Sequence, residues 1–252
     1  MSNISEPRQV TDIYKFEGMY AMNVDFQRQE YRVCWDGDWR KPPRLGAFPR
    51  VDGAIITLVP HSHGVEQLWI RSQVLHYGAD SHIRLLDHSD KSQSEEQFPV
   101  CKVAVDNRQR QLIEFEFAIL RYLRSKAVPV ARVHPDPLAD ENGVFGFQME
   151  KLFGIGLDCI RKYQTDIIKC LNQIHTNGIV HNDFHPGNIL KNHKGEVVVI
   201  DFGRSGYVGS KIPPGKRLPW WQGDVYSFEV DKVGLERFFG MSKRLRWQFL
   251  SV

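Results

Sequence analysis

Cysteine is scarce in this sequence, and what there is stands unpaired. Cys34, Cys101, Cys159 and Cys170 are scattered with no C-x-x-C among them, which removes zinc-ribbon and thioredoxin-type readings and leaves the pattern of reduced thiols. Long apolar runs are missing as well. No stretch approaches the roughly 18 residues of a membrane-spanning helix, and the opening MSNISEPRQV lacks the basic and apolar regions of a secretory leader. A soluble, cytoplasmic or otherwise intracellular chain is expected. Nor is there an excess of one charge: a formal net charge of +3 over 252 residues excludes the dense basic surface of a dedicated nucleic-acid binder, while an anionic nucleotide remains compatible. Neither a repeat nor a low-complexity tract occurs, the most polar stretch being DHSDKSQSEEQ, Asp87 to Gln97. What remains is 42% hydrophobic and 25% charged, the composition of a globular protein with enough chain for one large domain or two lobes.

One stretch carries chemistry. His181 to Gly203 reads HNDFHPGNILKNHKGEVVVIDFG. Pro186 and Gly187 oppose a helix, so Asp183 to Asn188 is predicted as a loop. A short strand from Ile189, a turn at Asn192 to Gly195 and an apolar strand Val197 to Ile200 then lead to Asp201. That hairpin returns Asp201 to the side of Asn188. Two carboxylates and an amide so placed suit phosphoryl transfer from a nucleotide: Asn188 and Asp201 supply hard oxygen ligands for magnesium, and Asp183 orients an acceptor hydroxyl and takes its proton.

The same residues resemble the catalytic loop and metal-binding motif of the protein kinase superfamily, in which H-x-D, an Asn five residues on and D-F-G recur in this order. The resemblance covers about residues 68 to 239 and implies an ATP- and Mg2+-dependent phosphotransferase of α+β, two-lobed, protein kinase-like fold. On it, residues 68–150 form a small β-rich upper lobe and 151–252 a helical lower lobe, while residues 1–67 form a β-rich extension matching no nameable family. With only about 13 residues after Phe239, the lower lobe is expected to be truncated.

Other segments extend the resemblance. The strand-like stretches Gln67 to Tyr77 and His82 to Leu86 flank Gly78, Ala79 and Asp80. In a kinase such a hairpin covers the phosphates, but only Gly78 stands here in place of G-x-G-x-x-G, and an ordinary structural hairpin is an equal reading. FPVCKVAV, Phe98 to Val105, is an apolar strand broken by Lys102, whose burial needs a partner or an anion unless it snorkels from an edge. It resembles the V-A-I-K strand, whose Lys grips the α- and β-phosphates and pairs with a helix Glu. Gln109 to Lys126 reads as a helix with Leu112, Ile119, Leu120 and Leu123 on one stripe. Glu116 falls on that stripe and Glu114 opposite it, so Glu116 is the expected partner of Lys102. Val144 to Leu152 resembles the strand-to-hinge passage between kinase lobes, which implies Met149 at the back of the adenine pocket and the backbone of Glu150, Lys151 and Leu152 on the base.

Departures from the family pattern shape the functional expectation. Asn182 replaces the Arg that reads an activation-loop phosphate, so activity without such phosphorylation is expected, and His181 is expected as a packed framework residue. Leu157 to Thr176 is a second predicted helical region, and Asp224 to Phe239 (DVYSFEVDKVGLERFF) a third, with Asp224 as its cap. That last stretch resembles the D-V-Y-S-F-G helix of protein kinases, although Glu229 stands for its Gly and no A-P-E precedes it. A compact protein serine/threonine kinase acting on a protein substrate is therefore expected. The HNDFHPGNIL loop keeps open a small-molecule phosphotransferase of the aminoglycoside or choline kinase type, and the thin glycine loop keeps open a pseudokinase. His61 and His63 in PHSHG are read as a surface turn, since no third metal ligand is near.

Overall fold

The computed structural model describes residues 6–78, 81–87, 97–156 and 159–240. Ala79, Asp80, most of the polar stretch after Asp87, Leu157 and the closing SKRLRWQFL lie outside them. The architecture is α+β, with strands prevailing in the N-terminal region and helices in the C-terminal part. Two compact units divide the chain: unit 1 holds residues 1–113 and 134–148, and unit 2 holds 114–133 and 149–252.

Unit 1 contains two five-stranded sheets. The first comprises β1 (Arg8–Gln9), β2 (Tyr14–Phe16), β3 (Met19–Phe26), β4 (Gln29–Trp35) and β5 (Ala54–Leu58). Gln27 and Arg28, both at positive φ, form the two-residue turn between β3 and β4, the geometry that matches strand twist in tight hairpins. Alternate residues Met22, Val24 and Phe26 bury with Val33, Trp35 and Phe48, as a half-buried strand pair requires. The second sheet has the order β6 (Ser72–Gly78), β7 (Ser81–Leu86), β8 (Val100–Val103), β10 (Gly143–Met149), β9 (Leu138–Asp140).

Two sequence expectations are corrected in unit 1. Gln67 to Ile70 is not strand but the end of helix α1 (His63–Ile70), because Val65, Leu68 and Trp69 recur at helical spacing and pack with Leu86, Cys101, Val103 and Phe145. PHSHG is likewise not a surface turn. The His61 side chain is 5% exposed, with Nε2 3.0 Å from the buried Glu30 carboxylate and its ring 4.8 Å from that of Trp69. Burial raises the Glu30 carboxyl, but His61, His82 and Asn23 outweigh it and hold it below its ordinary value.

Helix α2 (Asn107–Ser125) begins in unit 1 and continues into unit 2. Its first turns are held by Arg110, whose guanidinium grips Asp140 on β9 through two hydrogen bonds of 2.9 and 2.8 Å and also donates to the Ser62 hydroxyl at 3.0 Å. Unit 2 adds β11 (Phe153–Gly154), β12 (Ile179–Val180), β13 (Ile189–Lys191), β14 (Val197–Val199) and β15 (Gly206–Tyr207), with helices α3 (Gln164–Thr176) and α4 (Phe228–Phe239). The order β11-β13-β14 forms one small sheet and β12-β15 another. Ile167, Cys170, Leu171 and Ile174 are the buried face of α3, and burial pushes the Cys170 thiol up to about 12, so this cysteine is inert packing.

Candidate active site

The candidate site is organised by one hairpin. Ile189 pairs with Val199 and Lys191 with Val197, the turn closes on Gly195 at φ 80°, and the Ile200 N–H donates to the Asn188 carbonyl at 3.0 Å. The chain direction that leaves Asn188 is thus reversed within twelve residues, and Asp201 follows immediately on the bond back to Asn188. A short 3-10 turn, Pro186–Asn188, sets Asn188 at the hairpin's start. Its amide nitrogen donates to the Asp183 carbonyl at 2.9 Å. Asp183, Asn188 and Asp201 are brought together on this framework within unit 2.

Strain marks the two ends. Asn182 and Asp201 sit at φ 64° and 65°, the left-handed region that Asn and Asp tolerate better than other non-glycine residues and that concentrates at functional sites. Half-exposed Asp183 has Arg204 Nε 3.9 Å from one carboxylate oxygen and His185 Nε2 4.0 Å from the other. His185 accepts the Gly187 N–H on Nδ1 at 3.1 Å, so the nitrogen nearer Asp183 is the one that carries a proton in the neutral ring.

His181 is framework. Nε2 donates to the Ile200 carbonyl at 2.8 Å, Nδ1 accepts the Asp183 N–H at 3.3 Å, and the ring packs 4.7 Å from Phe202 and 5.7 Å from Phe184. Both nitrogens are committed to backbone, so the ring positions the loop and carries no proton to substrate.

Asp231 is the residue that sequence reasoning missed. Fully buried on α4, it accepts the N–H groups of His181 at 2.8 Å and Asn182 at 2.7 Å and meets His175 Nε2 at 2.9 Å. The helix begins at Phe228 with Ser227 as cap, its side chain accepting the Glu229 N–H. Asp224, expected as the cap, is exposed, and the backbone around it pairs with the segment after DFG: Lys211 bridges Val225, and the Tyr226 N–H donates to Ser210. EVDKVG is the helical segment that meets the loop. A usable signal existed: an Asp between Val230 and Leu235 on the apolar stripe of a short helix is costly unless bonded. Gly234 belongs to the same contact, since a Cβ there would lie 2.4 Å from the Phe184 carbonyl.

Asn182 also ties down the segment after DFG. Its amide nitrogen donates to the carbonyls of Arg204 at 3.1 Å and Lys216 at 2.9 Å. Ile212, Leu218 and Tyr226 of that segment pack with Val180 and Val230, and Gly206 makes room for the Tyr226 ring, which a Cβ would meet at 2.2 Å.

The remaining expected residues are placed as follows. Of the two glutamates on α2, Glu116 is buried and Glu114 exposed, and the Glu116 carboxylate accepts the Phe202 N–H at 3.2 Å. Met149 is buried and bridges Val133. The Glu150 N–H donates to Arg132 at 3.0 Å, while its carboxylate accepts from the Arg132 N–H and Nε. Lys151 is exposed and Leu152 half-buried. In unit 1, Lys102 is 6% exposed opposite Ile83 in the middle of the sheet, and Gly78 is exposed at the end of β6 with open space around it. Among the described residues no cluster of three His, Cys, Asp or Glu forms a metal site, and no helix is long and apolar enough to cross a membrane.

Residues 141–218, which include the loop and hairpin, match the protein kinase domain model. Sperm motility kinase 2B of Mus musculus is 37% identical over 71 residues, covering 28% of this chain and 14% of that protein. The dual specificity tyrosine-phosphorylation-regulated kinase 2 of Drosophila melanogaster is 41% identical over 61 residues, 23% of this chain and 8% of its own. Serine/threonine-protein kinase PKH2 of Saccharomyces cerevisiae is 37% identical over 62 residues, 25% and 6%. The matched part of the chain thus spans 6% to 14% of the length of these relatives. With the H-x-D loop, the Asn and the D-F-G joined by one hairpin, residues 141–218 are similar to the protein kinase domain.

Proposed function

We propose that this protein is an ATP- and Mg2+-dependent protein serine/threonine kinase. One observation carries the reading: a single hairpin groups Asp183, Asn188 and Asp201, and the buried Asp231 holds the backbone of the loop that leads into them. The donor set fits magnesium, which takes one or two hard protein oxygens and completes its shell with phosphate and water. Asn188 and Asp201 would hold it, and when bound it neutralises charge on the transferring phosphoryl group. Lys102 is assigned to the α- and β-phosphates with Glu116 as its orienting carboxylate, and Gly78 to the hairpin covering them. Met149 is assigned to the back of the adenine site. Because the Glu150 N–H is already bonded to Arg132, the base contacts fall to the Glu150 carbonyl and the backbone of Lys151 and Leu152. Asp183 accepts the proton of the acceptor hydroxyl.

Asp183→Ala tests the assignment. The substitution is expected to keep thermal stabilisation by ATP with magnesium while lowering phosphate transfer, to a protein acceptor or to the chain itself, by about a hundredfold or more. Equal rates in the two proteins would remove Asp183 as base. A binding module without turnover would show the stabilisation and no transfer in either.

A further inference from the structure

A cavity of about 560 Å³ is lined in part by Asp183 and lies entirely within unit 2. Ile160, Phe238 and Phe239 supply its apolar wall. Its polar lining is lopsided in charge: among the described residues that line it, Asp183 is the one carboxylate, against Arg161, Arg237 and His185. Among the described residues neither arginine forms an ion pair with a carboxylate. The Arg237 guanidinium carbon lies over the Trp220 ring, 4.3 Å from its centre, a cation–π contact that holds the cation in place. Arg161 reaches only the Phe239 carbonyl, at 3.5 Å.

Two cations set beside the group that receives the acceptor hydroxyl define what can dock there. A polycationic sugar would be repelled, and a chain with carboxylates next to its hydroxyl would be drawn in. We propose that this cavity is the acceptor site, and that it selects serine or threonine flanked by acidic residues in a peptide or protein. The proposal rests on the phosphotransferase reading for the identity of Asp183 as base, while the charge selection rests on Arg161, Arg237 and Trp220 alone.

The test uses the full chain and three serine peptides identical except for flanking glutamates, glutamines or lysines, with an aminoglycoside as a fourth acceptor. Binding is read by fluorescence anisotropy of labelled peptide and transfer by phosphate incorporation. The glutamate peptide is expected to bind and react at least about tenfold better than the lysine peptide, with the difference shrinking as salt rises. Charge reversal, R161E with R237E, should invert the order, and the milder R237Q should halve the preference or more. A preference that charge reversal leaves unaltered, equal use of all peptides, or a better aminoglycoside overturns the proposal. Acidic peptide binding that both variants weaken, with no transfer to any acceptor, would keep the charge selection and reject the kinase reading; absence of both overturns the two together.

Discussion

Asp231 shows how one buried carboxylate sets the geometry of a loop it does not belong to. Accepting from two successive N–H groups and a histidine, it fixes the backbone at His181 and Asn182, where the left-handed φ of Asn182 would otherwise relax. Removing such a carboxylate leaves buried donors unmet, each costing on the order of 1–3 kcal/mol. Asp231→Ala is therefore expected to destabilise the fold by about 3 kcal/mol or more and to lower any transfer activity. Asp224→Ala, at an exposed position, should stay within about 0.5 kcal/mol. Urea denaturation of the two variants decides which Asp anchors the loop; equal losses would restore the alignment on DVYSF.

Within unit 1, the element-scale counterpart is the clasp of α2 on β9. Arg110 holds the Asp140 carboxyl down to about 2, with the Ser62 hydroxyl and the Asn142 N–H adding to it against burial. A carboxyl depressed in the folded state stabilises above its unfolded pKa, near 3.8, and that contribution is lost as pH falls from there through about 2. A shift of this size corresponds to about 2 kcal/mol, and the side chain is only 3% exposed, so little is screened away. Asp140→Asn should cost about 2 kcal/mol at pH 7 and progressively less between about pH 4 and pH 2. Denaturant melts across that range would show a pH-independent difference if the ion pair were idle. Strands and helices themselves were largely legible: α2, β7 and the β13–β14 hairpin lie where periodicity places them. The end of α1 was not, because Gln67 to Tyr77 alternates over its second half and only Trp69 packing against Val65 and Leu68 shows the turn of helix.

At the scale of the whole molecule, the segment after DFG is tied down by contacts within its own chain. Asn182 bonds two of its carbonyls, β15 pairs with β12, and Ile212, Leu218 and Tyr226 join a core with Val180 and Val230. Ser205 is buried with its hydroxyl on the Phe202 carbonyl, which leaves it inaccessible to modification. Phosphatase treatment is accordingly expected to leave the rate of transfer unchanged, as read by phosphate incorporation before and after treatment; a large loss would point to Tyr207 or Ser210 as a required phosphosite.

The sequence by itself determined the hairpin and the residues at its ends. Asp183, Asn188 and Asp201 follow from local order alone, because a proline-glycine loop and a two-stranded turn are short-range structures whose residues are named by their spacing. It also determined which glutamate of α2 is buried, since a single stripe at helical period distinguishes Glu116 from Glu114. Tertiary structure alone decided the rest: that His61 is buried against Glu30, that Asp231 and not Asp224 meets the loop at His181 and Asn182, that Gly234 clears the Phe184 carbonyl, and that Arg161 and Arg237 line one cavity with Asp183. Each of these depends on residues about 20 to 55 positions apart in the chain, and no local period encodes such a meeting; in unit 2 the packing of α4 against the loop brings it about.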